Sequence, residues 1–374
     1  MTHDVFISGV GAVTPFGVGT GALWDGIWSG RVAIQPITRF ASRVGSVAFA
    51  AEFPPEAIVA AGGSADLAFG TARLAAEEAL SGMTRSDRRT TGLVLATTKA
   101  DLSGFEGPGV GFGSPGRLLA RLLAALNLGG PVCTTSAACS SGIVALGTAS
   151  RWVASGRCTR VLVVGVDILW EFVLRGFEAL MAMDPEPCRP YDRSRRGMSC
   201  GEAAAAVLLT AEENTADAFR MLGWGASTEG HHMTGPRRDG FGVRTAAERA
   251  IAVAGIVAAS VSFVHLHGTG TPFNDAAEAT GLSDLFAPAP KTPPAFGSKG
   301  QLGHAMGASS LIESLVALEA LRRGTMPGNA GLLVTDVDPR LDVAPNPRRL
   351  PSAEYALKVS AGFGGVCAAT VFAR

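Results

Sequence analysis

The chain has 374 residues, enough for two or three average domains or one large α/β unit, and 47% of them are hydrophobic against only 17% charged. Its formal net charge of zero gives no global field to recruit nucleic acid or an anionic membrane surface, so an acidic partner needs a local basic patch. The six cysteines show neither a CxxC pair nor the spacing of a disulfide framework, and the N-terminal MTHDVFISGVGAVTP has no basic segment followed by an apolar one; both point to a reducing, cytoplasmic setting.

DVFISGVGAVTP reads as a strand that breaks at Gly and Pro. Leu67–Gly82 has apolar residues at helical spacing, TGLVLATT at 91–98 is a buried strand, and GRLLARLLAAL at 116–126 is a helix. A further helix runs from about Cys139 to Ala154, and RVLVVGVD at 160–167 is a continuous apolar strand. In the second half, AAERAIAVAGI at 246–256 is helical, VSFVHLHG at 261–268 is a strand ending in a polar loop, and SLIESLVALEAL at 310–321 is a helix. Residues 250–264, the most apolar long stretch, are too short and alanine-rich for a membrane span. The Pro-rich 285–298 reads as a surface connection, and 355–373 as two strands joined through a glycine-rich turn.

Strands alternating with helices predict a mostly parallel sheet covered on both faces. The stretches beginning at Cys139 and His304 both continue as helices with little polar face, and such helices are buried on both sides. The expectation is a layered molecule of two similar halves, with one central helix from each half between two sheets.

Chemistry concentrates in four glycine-flanked motifs, where backbone can approach a substrate closely: TTSAACSSG around Cys139, HLHGTGTPFND from His265 to Asp275, GSKGQLGHAMG from Gly297 to Gly307, and SAGFGGV from Ser360 to Val366. Taken singly they are weak, since a lone buried thiol is usually inert filler and a lone histidine a satisfied core residue. GTGT lacks the lysine or the fingerprint of a phosphate loop. His3, His231, His232 and His265 do not form a ligand set with tetrahedral spacing, so no metal is expected.

Together and in this order, the motifs resemble the β-ketoacyl-acyl carrier protein synthases of the elongating, thiolase-fold type. The resemblance extends over nearly the whole chain, through GVGAVTPFG at 9–17, PCRPYDRSRRGMSCGE at 187–202 and HHMTGP at 231–236. It implies an α/β thiolase fold, five-layered αβαβα, with two pseudo-symmetric halves in one compact unit: 1–240 carrying the cysteine and 241–374 the two histidines. It implies Cys139 as nucleophile, His267 and His304 as the catalytic histidines, Lys299 and Glu313 in support, and Phe363, between Gly362 and Gly364, in a gating loop. No cofactor is expected; acyl and malonyl thioesters arrive on the phosphopantetheine of an acyl carrier protein.

The residue chemistry agrees. A helix N-terminus and nearby imidazole donors favour the thiolate of Cys139, which can take an acyl group from a thioester. Two imidazole N–H groups can hold the enolate left when a malonyl thioester loses carbon dioxide, and the backbone N–H groups of Cys139 and Phe363 would serve the acyl carbonyl. Lys299 would hold His304 in a useful tautomer, directly or through Glu313.

Departures from the family are local. Arg195-Arg196-Gly197-Met198 stands where Arg-Asp-Gly-Phe is common, so Met198 would reshape the acyl pocket, and Cys367 stands where many members carry asparagine. EPCRPYD, GEAAAAVLL and HHMTGP look closer to synthases of specialised aryl polyene or polyketide pathways than to primary fatty-acid synthesis. Arg193, Arg195 and Arg196 are candidates for docking an acidic carrier. A homodimer is expected, with a heterodimer of two synthase-like subunits as the other assembly. Two other functions stand beside condensation: a non-catalytic, chain-length-determining partner subunit, which would lack the nucleophile, and a degradative thiolase, which would want a second cysteine, for which Cys367 is the candidate.

Overall fold

The computed structural model describes residues 3–39, 49–100, 114–213 and 218–374. Two sets of five strands carry the architecture. In chain order the first set is β1 (Phe6–Thr14), β2 (Gly92–Ala96), β3 (Val132–Thr135), β4 (Arg160–Asp167) and β5 (Ala203–Thr210). The second is β6 (Phe219–Thr228), β7 (Phe263–His265), β8 (Ala295–Phe296), β9 (Tyr355–Gly362) and β10 (Val366–Ala373).

Their spatial orders are β1-β5-β4-β2-β3 and β6-β10-β9-β7-β8, the same permutation twice. In each set the first two pairings are antiparallel and the other two parallel, so the sheet is mixed where strand–helix alternation predicts a mostly parallel one, because only the strands joined by helical crossovers run parallel. The sets join through β1 and β6, where Phe6 pairs with Arg220 and Ile7 with Phe219. β6 belongs to the second set by its pairing with β10.

Seven helices follow, all but α4 within the layers: α1 (Leu67–Ala79), α2 (Pro115–Leu126), α3 (Ser141–Ala154), α4 (Glu171–Ala179), α5 (Phe241–Ala254), α6 (Pro272–Phe286) and α7 (Met306–Arg323). α1 packs on β1, β5 and β4 and is backed by α2; α5 packs on β6, β10 and β9 and is backed by α6. Between the sheets lie α3, which touches β4, β2, β6 and β10, and α7, which touches β4, β5 and β9. This is the five-layered thiolase-like arrangement expected from sequence. In α7 every residue from Met306 to Leu318 is buried, as a helix sandwiched by two sheets requires. The two central helices approach closely: a Cβ on Gly142 would stand 2.6 Å from the Leu311 nitrogen, and Ile143 N–H donates to Ser310 Oγ at 3.2 Å.

Two differences from the sequence reading concern composition. β5 is AAAAVLLT, buried at every position, and its alanines fit a strand covered on both faces despite their helical propensity. The Pro-rich stretch is more than a surface connection, since its end, Ala295–Phe296, is buried and forms β8. Among the described residues no helix is long and apolar enough to cross a membrane.

Candidate active site

Cys139 lies in the turn between β3 and α3. Ala138 before it takes φ 48°, a left-handed conformation that costs a non-glycine residue on the order of 1 kcal/mol or more. Ser141 holds this turn: its Oγ accepts from Ala137 N–H at 2.8 Å and donates to Ala138 O at 2.6 Å. Ser360 Oγ donates to Cys139 O at 3.1 Å, which ties the turn to β9. Gly362 passes so close that a Cβ there would meet Ala137 O, Ala138 Cβ and Cys139 N, each at 3.2 Å. The glycine-rich turn can therefore lie against the nucleophile.

His304 precedes α7 by two residues, as Cys139 precedes α3. Its Nε2 is 2.9 Å from Cys139 Sγ. Its Nδ1 accepts from Met306 N–H at 3.2 Å, with Ser309 Oγ at 2.8 Å. A backbone N–H can only donate, so Nδ1 is the acceptor and the ring proton sits on Nε2, facing the sulfur.

His267 follows β7, its ring centroid 5.5 Å from that of His304 and its plane at 85° to it. Its loop is fixed from α6. Glu278 accepts from the N–H groups of His267 (2.6 Å) and Gly268 (2.9 Å), and Asp275 from those of Thr269 and Gly270. Lys299 Nζ donates to His267 O at 2.6 Å and lies 3.3 Å from His267 Nδ1. Ammonium cannot accept, so His267 too carries its proton on Nε2. Lys299 thus holds His267, where the sequence reading assigned it to His304; that ring is set by Ser309 and the Met306 amide. The Lys299 ammonium is ion-paired with Glu313 Oε1, both side chains wholly buried.

Electrostatics at the site favour neutral groups. Burial, joined by the charges of Lys299 and neighbouring groups, brings His265, His267 and His304 well below the usual imidazole range. Burial also pushes the Cys139 thiol up to about 11, with the charge of Lys299 and the Phe363 amide pulling down and Asp167 and Glu313 pushing up. Desolvation thus works against the thiolate that the helix terminus favours, and the sulfur faces the His304 Nε2–H.

A cleft of about 450 Å³ opens onto this centre; Cys139, His267, His304 and Phe363 line it together. Phe363 stacks at a tilt on Phe177, with centroids 5.8 Å apart, and Gly364 takes φ 80° to turn the chain beside it. Met198 is in the wall, packed with Leu169, Leu174 and Cys200. Cys367 also lines the cleft, and burial pushes its thiol up to about 12. Of the three arginines, Arg195 is committed to Asp336, Asp192 O and Pro272 O, so its role is structural. Arg196 is at the cleft mouth, paired with Asp184 at 3.2 Å, and Arg193 is exposed.

Two groups escaped the sequence reading. Asp167, at the end of β4, accepts from Gly307 N–H at 2.7 Å, from both Thr98 donors and from Lys99 at 3.1 Å, anchoring the start of α7. Lys358, in the middle of apolar β9, is completely buried and 2.8 Å from Glu313 Oε2; burial brings it down to about 8. A charge closing or interrupting a buried strand is the signal both leave in the sequence.

Residues 78–215 match the family model described as beta-ketoacyl synthase, N-terminal domain, and 219–332 its C-terminal domain. Nodulation protein E of Rhizobium meliloti is 32% identical over 265 residues, 69% of this chain, and the chain spans 65% of that relative's length. The 3-oxoacyl-[acyl-carrier-protein] synthase 2 of Coxiella burnetii is 26% identical over 99% of this chain and 98% of its own. Among solved structures, the AntDE:AntF complex of a type II PKS acyl-carrier protein with its ketosynthase superposes with a TM-score of 0.89 at 22% identity, over all of both chains.

Proposed function

Because the chain belongs to the β-ketoacyl synthase family, we propose that it forms carbon–carbon bonds by decarboxylative Claisen condensation, using Cys139 to carry the acyl group. In the first step the Cys139 sulfur attacks an acyl thioester, and its proton leaves with the departing carrier thiol. The N–H groups of Cys139 and Phe363 receive the oxyanion. In the second, a malonyl thioester loses carbon dioxide, the enolate oxygen rests between His267 Nε2–H and His304 Nε2–H, and its carbon attacks the acyl group on Cys139. Cys139 leaves as the thiolate and takes a proton delivered from solvent through the open cleft to regenerate the thiol, and a β-ketoacyl thioester departs.

The observation that carries this reading is the pair of neutral imidazoles whose Nδ1 atoms are both occupied by obligate donors. Neutral N–H groups can stabilise a forming enolate without first protonating the thiol. A partner subunit without chemistry needs no such arrangement, and it needs no nucleophile at Cys139.

The substrates are acyl and malonyl groups on the phosphopantetheine of an acyl carrier protein, in fatty-acid or polyketide synthesis, with an aryl polyene or polyketide pathway preferred from the sequence. Arg193 and Arg196 would meet the acidic carrier, and the chain would act as a homodimer or beside a second synthase-like subunit. Intact-mass spectrometry after incubation with a panel of acyl-carrier thioesters tests the reading. The wild type gains the mass of one acyl group and Cys139→Ala gains none; an acylated Cys139→Ala protein overturns the assignment.

A further inference from the structure

The site holds Lys299 and Glu313 behind His267, but the buried charge of Lys358 beside them has no role yet. Lys358 Nζ donates to Leu266 O at 3.1 Å and to Val359 O at 2.5 Å. It also stands 2.8 Å from Glu313 Oε2, within ion-pair distance. Leu266 immediately precedes His267. The ammonium therefore grips both the carboxylate behind Lys299 and the backbone that carries the imidazole.

Glu313 thus bridges two lysines, Oε1 to Lys299 and Oε2 to Lys358, in surroundings without water access. A buried carboxylate with one counter-ion draws that ion wholly to itself, since an uncompensated charge there is costly. With Lys358 balancing the outer oxygen, Lys299 keeps a hydrogen for His267 Nδ1 while still paired with Glu313. Resting on the condensing function above, we propose that Lys358 is a positioning residue, a tethered monovalent cation whose charge keeps Glu313 and Lys299 aligned so that His267 presents its Nε2 proton to the enolate. The three oxygens around Nζ form a small cradle that asks for a positive charge and imposes little direction. Truncating the side chain leaves a hole that a free ammonium ion can fill.

The test separates loading from condensation in Lys358→Met and Lys358→Ala, with intact-mass spectrometry for the first and carbon dioxide release from malonyl-carrier for the second. Wild type must perform both; a wild type that performs neither refutes the proposed function and not the role of Lys358. Lys358→Met, which fills the space without charge, is expected to load at close to the wild-type rate and to condense about 10²-fold more slowly, the loss typical of one misaimed oxyanion donor. Lys358→Ala is expected to show the same split, with about tenfold or greater recovery in ammonium or methylammonium chloride and none in tetramethylammonium chloride, too large for the cradle. Condensation by Lys358→Met at the wild-type rate, equal loss of loading and condensation, or a folded Lys358→Ala indifferent to ammonium would each overturn the proposal. Should Lys358→Ala fail to fold, the Lys358→Met split decides.

Discussion

Lys299→Met removes three contacts at once: the 2.6 Å hydrogen bond to His267 O, the 3.3 Å contact to His267 Nδ1, and the ion pair with Glu313. Without the obligate donor, Nδ1 can take the proton, because the Ser360 hydroxyl 3.4 Å away can accept it while continuing to donate to Cys139 O. In that tautomer Nε2 turns a lone pair toward the enolate. A missing oxyanion donor costs about 2.7–4 kcal/mol, so carbon dioxide release and condensation should fall about 10²–10³-fold. Loading relies instead on the amides of Cys139 and Phe363. The Lys299 charge also eases ionisation of the thiol, so loading should slow as well, but by less than condensation. Glu313 keeps Lys358, which holds the folding penalty below the roughly 3–5 kcal/mol of an abandoned buried charge. Rapid-quench measurement of acyl-enzyme formation beside carbon dioxide release reads both rates on one sample. Loading that falls as much as condensation would refute the reasoning and make Lys299 an activator of the thiol.

Other expectations follow from single features. With the thiol held near 11, alkylation of Cys139 by iodoacetamide, followed by peptide mass spectrometry, should rise about tenfold per pH unit from pH 7 to 10, because only the thiolate reacts and its fraction grows as pH approaches the raised value. A plateau already reached at pH 8 would show a thiolate in the resting site. Gly142→Ala places a methyl against the Leu311 backbone, which cannot yield as a side chain could, and should cost about 1–3 kcal/mol in urea unfolding. Reversing Arg193 and Arg196 to Glu should raise KM for carrier-bound substrates while leaving small thioester mimics unaffected; equal losses with both would remove their docking role.

Much of the layering was legible because α3 and α7 carry almost no polar face, which only a position between two sheets explains. The motif cysteine and histidines were legible because a glycine lies within three residues of each of them. Lys299's partner was not, since five residues of separation from His304 suggest contact while the fold brings β7 nearer to its ammonium. β5 was passed over for a physical reason: four alanines give no period, and whether they form strand or helix is decided by helices packing over them. The protonation of Cys139 also depends on tertiary structure, since the sequence announces a helix terminus but not how much water is excluded around it.

The repeated strand permutation has a consequence for how this chemistry could be taken apart. Cys139 and His304 occupy matching stations, two residues ahead of matching helices, so the reactive centre lies where one repeat faces the other and is owned by neither. A fragment holding the first repeat would contain a sulfur with no proton donor opposite it, and a fragment holding the second would contain imidazoles with nothing to attack. Only their reassembly, through the shared inner layer, could restore turnover.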